Sequence, residues 1–184
     1  MSITKRLGSI LLALALAPAA VACTGTPTQT PSAASATSTP NPTSTTLSSA
    51  EQDLANAKQA VGQLWDVVDR LTNDPQASLQ DLDSVASGAA LDFFRKNLTG
   101  YRLEQLTGSG SSVVEFKSAE RGKDTAEALP TWTVTACVDT SKTKLVDSTG
   151  KSVTVPPYRF LHRSTVVERS AVMRVDQDEV LGTC

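Results

Sequence analysis

The chain has 184 residues, with 17 Lys and Arg against 19 Asp and Glu and a formal net charge of −2. That mild, mixed charge argues against a general nucleic-acid binder, which needs a basic face. One histidine and three cysteines leave too few ligands for a zinc site, and neither a metal nor a cofactor is expected.

The first element is a signal. Lys5 and Arg6 precede an apolar run from Leu7 to Ala17, and small residues follow. This is the layout of a secretory signal peptide over residues 1–22. The run is shorter than the roughly 20 apolar residues that span a bilayer, and no later run is long enough either. Ala20 and Ala22 suit signal peptidase, and Pro18 loosens the helix ahead of them. The stretch "AVAC", ending at Cys23, resembles a bacterial lipobox, with Ala20 where most lipoboxes carry Leu. In a lipobox the cysteine receives lipid (palmitate) and becomes the first residue of the mature chain. The alternative is ordinary cleavage that leaves a free thiol. An exported chain favours disulfides. If Cys137 pairs with Cys184, Cys23 is left odd, and an odd exported cysteine needs its own explanation. Lipidation of Cys23 supplies one, and it predicts a membrane anchor on the extracytoplasmic face. Losing Lys5 and Arg6 with the signal leaves 15 basic residues against 19 acidic ones, a net of −4.

Residues 24–50 contain no charged side chain; 15 of the 27 are Ser or Thr and four are Pro. Such a segment has too little apolar surface to offset its ordering entropy. Residues 23–48 therefore read as a disordered tether, either a plain spacer or a carrier of O-linked sugars. Residues 49–184 are enough for one domain with its own core.

Ser48 and Glu51 form a capping box. Leu54, Ala57, Val61, Leu64, Val68 and Leu71 then recur on one helical face, with Trp65 alongside. The pattern covers under three heptads, so a core-facing helix fits better than a coiled-coil seam. "NDP" at 73–75 stops it. A second helical region runs from Ser78 to Leu106 and is broken. Leu79, Leu82 and Val85 form its first part, and Gly88 marks a junction. Ala90, Leu91, Phe94 and Leu98 continue the apolar face, and Gly100 offers a stop. "TGSGSS" at 107–112 reads as a turn. It lacks the preceding strand and the Gly-Lys-Ser/Thr of a phosphate loop.

Beyond residue 112 the period changes from 3.6 to 2. "VVEFKSAE" at 113–120 puts Val114 and Phe116 on one face. In "TWTVTACVDT", 131–140, Trp132, Val134, Ala136 and Val138 share a face, and Thr131, Thr133, Thr135 and Cys137 share the other. The apolar row is expected to meet Leu64, Trp65 and Val68 of the first helix. Residues 143–155 read as a hairpin turning near Asp147–Gly150 and broken at Pro156-Pro157. A long strand is expected over 159–175, with a bulge or strong twist where its alternation slips, then a short edge to Cys184. Helices followed by a meander of four to six strands give an α+β fold, with the helices on one face of an antiparallel sheet.

The chain resembles secreted lipoproteins of high-GC Gram-positive bacteria and their phages and mobile elements. The resemblance rests on "DP" at 74–75, "VASGAAL" at 85–91, "CVDTS" at 137–141, "VDSTGK" at 146–151 and the terminal Cys184, and Met173 stands where that group carries a tryptophan. It covers roughly residues 50 to 184. It implies a nuclear transport factor 2-like (cystatin-like) domain, a curved sheet wrapped on helices, and it implies no settled activity.

Few residues carry chemistry. His162 is the one histidine, and no G-x-S-x-G elbow accompanies it; it reads as structural. "DQDE" at 176–179 lacks the glycine turn and spaced ligands of a calcium loop and reads as a solvated turn. Arg159, Arg163 and Arg169 lie on one long strand, either facing an anionic partner or protecting an exposed edge. The leading functional reading is a non-catalytic binding or accessory module at the cell envelope, with a protein, glycan or lipid partner. One alternative is a phage- or plasmid-encoded surface lipoprotein that excludes competitors (superinfection exclusion). Another is an isomerase- or cyclase-type enzyme with an apolar pocket, for which Asp92, Tyr101, Asp139 and Tyr158 are the proton-transfer candidates. A filled interior favours the binder, and an apolar pocket with an inward carboxylate favours the enzyme.

Overall fold

The computed structural model describes residues 47–153 and 158–184. The signal, Cys23, the tether up to residue 46 and Pro156-Pro157 lie outside the described residues. Helix α1 spans Ser49–Asn73. Its start is the capping box: Ser48 Oγ accepts from the Glu51 N–H at 3.3 Å, and the Ser48 N–H donates to the Glu51 carboxylate at 2.9 Å. Ala57, Val61, Leu64 and Leu71 are buried. Asp74, ahead of Pro75, is extended and ends the helix.

The second helical region does break. A 3-10 turn covers Leu79–Ser84, and helix α2 covers Gly88–Leu103. Gly88 opens α2 at φ +50°, and a Cβ there would sit 2.7 Å from Asp176 Oδ1, so the junction needs glycine. Gly100 does not stop α2. A helical glycine costs about 1 kcal/mol, less than burial of Phe94 and Leu98 on the same helix contributes.

Residues 107–112 are not simply a turn. They contain strand β1 (Thr107–Ser109), which pairs antiparallel with β4 (Lys144–Val146) in a two-stranded sheet. Gly110, at φ +87°, lets the chain pass so close that a Cβ would strike the Lys142 carbonyl. After β4 the expected turn forms: Gly150 N–H donates to the Asp147 carbonyl at 2.9 Å, and Val146 bridges Ser152.

The main sheet is four-stranded and antiparallel, in the order β2 (Val113–Arg121), β3 (Thr131–Asp139), β5 (Arg159–Arg169), β6 (Val172–Thr183). The single strand expected over 159–175 is therefore two strands. They are joined by Ser170 and Ala171, at φ 54° and 60°. This is a two-residue hairpin turn of the kind that Asn-Gly favours, and nothing in "RSAV" marks it. The irregularity expected in the long strand belongs to β6, whose register skips Asp176 and Leu181. Instead of a short edge, β6 is a 12-residue strand.

Trp132, Val134, Ala136 and Val138 are all buried on the helix-facing side of β3. Trp132 and Val134 share one core cluster with Leu64, and Trp65 and Val68 pack against that cluster. Trp132 also lines a hollow with Ala50, Asp53 and Leu54, with the Arg121 guanidinium 4.9 Å from its ring. Val138 lines a cleft together with Trp65 and Val68. Strand β3 runs in the same direction as α1, so its first residue meets the start of the helix. On the outer face a disulfide joins Cys137 to Cys184, with Cα atoms 6.1 Å apart. The bond passes over β5, and the Cys184 N–H donates to the Arg159 carbonyl at 3.4 Å. The result is an α+β fold with helices packed on antiparallel sheets. No helix among the described residues is long and apolar enough to cross a membrane.

Candidate functional site

A half-open cleft of about 280 Å³ lies where α1, α2 and the main sheet meet. Helix α1 contributes Trp65 and Val68, one turn apart. Helix α2 contributes Phe94, Leu98 and Tyr101, whose spacing puts them on one face, with Phe93 and Asn97 beside them. The sheet closes the floor through Val138, Phe160, His162 and Val180. Phe93 and Val180, each about half exposed, stand at the mouth.

Asn97, Tyr101, Thr140 and His162 bring polar groups to the lining, and His162 is the one paired with a carboxylate. It shares the helix-facing side of β5 with Ser164 and Val166, all buried. Its Nδ1 lies 2.8 Å from Asp178 Oδ2, and Ser164 Oγ donates to Asp178 Oδ1 at 2.6 Å. The Asp178 side chain is only 2% exposed. A carboxylate buried this deeply is costly unless it is paired and hydrogen-bonded, and here each oxygen has a partner. Trp65 packs edge-on against the imidazole at 5.1 Å and against Phe94 at 5.6 Å. The Trp65 indole N–H is buried without an acceptor. The three polar residues do not form a nucleophilic triad, because the serine hydroxyl bonds to the carboxylate and not to the imidazole.

Asp178 is the candidate site residue that the sequence conceals. "DQDE" is not a solvated turn: it lies inside β6, and the skipped residue Asp176 places Asp178 opposite Ser164. Asp176 itself accepts from Ser87 Oγ at 2.8 Å, at the N-terminus of α2 where a negative charge is favoured. The Ser170–Ala171 turn alone would set Asp178 opposite Arg163 on the outer face, and the extra residue Asp176 turns it to the side of His162.

The remaining candidates scatter. Tyr101 lines the cleft, whereas Asp92 is exposed on α2 and Tyr158 is not in the lining. Asp139 also lies outside the cleft. The Ser141 N–H, with Arg159 nearby, holds its carboxyl below the usual range. Arg159, Arg163 and Arg169 share the outer face, but β5 is an interior strand, so they protect no edge. Each is paired: Arg159 with Glu115 at 3.2 Å and Asp139 at 3.5 Å, Arg163 with Glu179 at 2.6 Å, Arg169 with Glu127 at 3.3 Å. They do not amount to a free basic patch. A second cleft of about 200 Å³ adjoins the first through Trp65, Val68, Tyr101 and Thr140. In its wall burial pushes the Asp69 carboxyl above the usual range, against the pull of the Ser112 N–H and hydroxyl, which donate to it at 2.6 and 2.8 Å. Among the described residues no cluster of His, Cys, Asp and Glu has the makings of a metal site.

No protein-family model matches the chain, and no curated protein matches it in sequence. Among solved structures it is similar to the intermembrane space region of the chloroplast protein ARC6, at 14% identity and a TM-score of 0.47, over 71% of this chain and 98% of that one. It is also similar to Aln2 from a Streptomyces species (12% identity, TM-score 0.37, 73% and 93% coverage) and to a periplasmic fragment of TraM (16% identity, TM-score 0.37, 75% and 100% coverage). These likenesses are distant, and they assign this chain no activity.

Proposed function

We propose that the chain is an extracytoplasmic lipoprotein, anchored through lipid on Cys23, whose nuclear transport factor 2-like (cystatin-like) domain binds a small apolar ligand in the cleft between α1, α2 and the sheet. The cleft carries this reading: an open, ring-lined hollow in a domain of this size is where ligands bind. The order of elements, two helices and then an antiparallel sheet that they cover on one face, supports the fold assignment. The Cys137–Cys184 bond supports the anchor, since it leaves Cys23 as the odd cysteine. A pocket enzyme is the second reading, favoured by the His162–Asp178 pair in the cleft wall.

Two measurements test the proposal. In detergent phase partitioning the expressed wild-type chain should enter the detergent phase and Cys23→Ser should stay in the aqueous phase; equal partitioning removes the anchor. Titration with an uncharged apolar fluorophore such as N-phenyl-1-naphthylamine should give saturable one-to-one binding that Val180→Phe, which fills the cleft from its half-exposed mouth, abolishes. Non-saturable binding, or binding that survives the filled cleft, removes the ligand site.

A further inference from the structure

The cleft is mostly apolar, and Asn97, Tyr101, Thr140 and His162 are the polar residues of its described lining. His162 presents an imidazole whose Nδ1 is committed to Asp178. An ionised carboxylate only accepts hydrogen bonds, so the shared proton sits on Nδ1, and in the neutral ring Nε2 is left as an acceptor. Nε2 has no hydrogen-bond partner among the described residues, and it is not one of the sealed, unpartnered polar atoms. His162 lines the cleft, so this lone pair is open to whatever the cleft holds. An acceptor in an apolar wall favours a ligand that brings a donor to it and disfavours one that leaves it dry and unpaired.

The rest of the lining says what carries the donor. Trp65, Phe93, Phe94, Tyr101 and Phe160 surround the space with rings, and aromatic faces and edges pack best on another flat ring. Among the described residues no Lys or Arg lines the cleft. A carboxylate ligand would therefore bring a second anion beside Asp178 with no added cation to balance it. The geometry points to a cleft selective for a hydroxylated aromatic ring, a phenol or naphthol, whose O–H donates to His162 Nε2. Asp178 and Ser164 act here as positioning residues, holding the imidazole in the accepting tautomer. This selectivity rests on the cleft-binding function proposed above.

The test uses three probes on the full chain: 2-naphthol, naphthalene and 2-naphthoate. Calorimetric titration should find 2-naphthol bound about 10- to 100-fold more tightly than naphthalene, the ratio expected when a buried acceptor is left unpaired, with 2-naphthoate the weakest. His162→Phe should bring naphthol and naphthalene to equal affinity. Because His162 is the chain's one histidine, its ring nitrogens give an unambiguous ¹⁵N spectrum that needs no variant. Saturating 2-naphthol should move the Nε2 resonance upfield, and naphthalene should leave it in place. If naphthol and naphthalene bind equally well and Nε2 does not respond, the hydroxyl selectivity is wrong and the cleft reading survives. If none of the three binds, the cleft reading fails, and the selectivity with it.

Discussion

Ala171→Gly should stabilise this protein, even though it removes a methyl group and touches no site. Ala171 is exposed at the β5–β6 turn and holds φ 60°, after Ser170 at φ 54°. An L residue in the left-handed region costs roughly 1–2 kcal/mol relative to the right-handed one, and glycine escapes that cost. Glycine also loses about 0.4–1 kcal/mol through the greater freedom of its unfolded chain. The difference leaves about 0.5–1 kcal/mol in favour of the variant. With a urea m-value of about 2 kcal/mol/M for a domain of this size, the midpoint should rise by about 0.3–0.5 M at unchanged m. The assay is equilibrium urea unfolding followed by tryptophan fluorescence. A midpoint that stays put or falls would refute the reasoning, because it would mean that residue 171 does not occupy a left-handed turn.

Trp132→Ala should cost about 3–5 kcal/mol, since the ring is 2% exposed in a packed core; a melting curve that barely moves would contradict its placement. Cys184→Ser opens a bridge with a sequence separation of 47, which in the chain-entropy model removes about 4 kcal/mol. Equal urea midpoints for the variant and the oxidised wild type would show that the bridge contributes nothing. Thr149 and the Lys151 N–H donate to Asp147, holding its carboxyl below the usual range. Because that folded value is depressed, the contribution to the 147–153 turn is present above the unfolded carboxylate value and is lost as pH falls through the folded one. Amide exchange at Gly150 should speed up over that acidic window in wild type beyond the intrinsic pH trend and not in Asp147→Asn; matching profiles would count against it.

Much of this architecture is legible in the chain because local signals agree with tertiary ones. The Ser48–Glu51 box, the 3-4 spacing through Leu71 and the strict alternation from Trp132 to Val138 each name one geometry. The misread places have a different character. Ser170–Ala171 makes a turn with residues that local preference would not choose, so the alternation runs through it without a break. Strand β1 is three residues long and rich in glycine and hydroxyls, a composition shared by turns. The candidate site suffers most from this. His162 and Asp178 are 16 residues apart and meet only once the hairpin is known, and an acidic tetrad at 176–179 looks solvated until one of its members is seen opposite Ser164.

The bridge between Cys137 and Cys184 also decides how the domain yields to force. Pulled from Ser48 and from its last residue, the oxidised chain transmits tension along α1, β2 and β3 and then directly across the sulfur–sulfur bond. Strands β5 and β6 lie inside the covalent loop and bear none of the end-to-end load once the rest has extended. The 47-residue separation corresponds to about 160 Å of contour length that tension cannot draw out. A single-molecule extension trace should therefore be shorter by about that length than the trace of the reduced chain. A domain wired in this way can lose its helices to a mechanical pull and still keep β5 and β6 inside a closed ring, beside the strand on which they re-form.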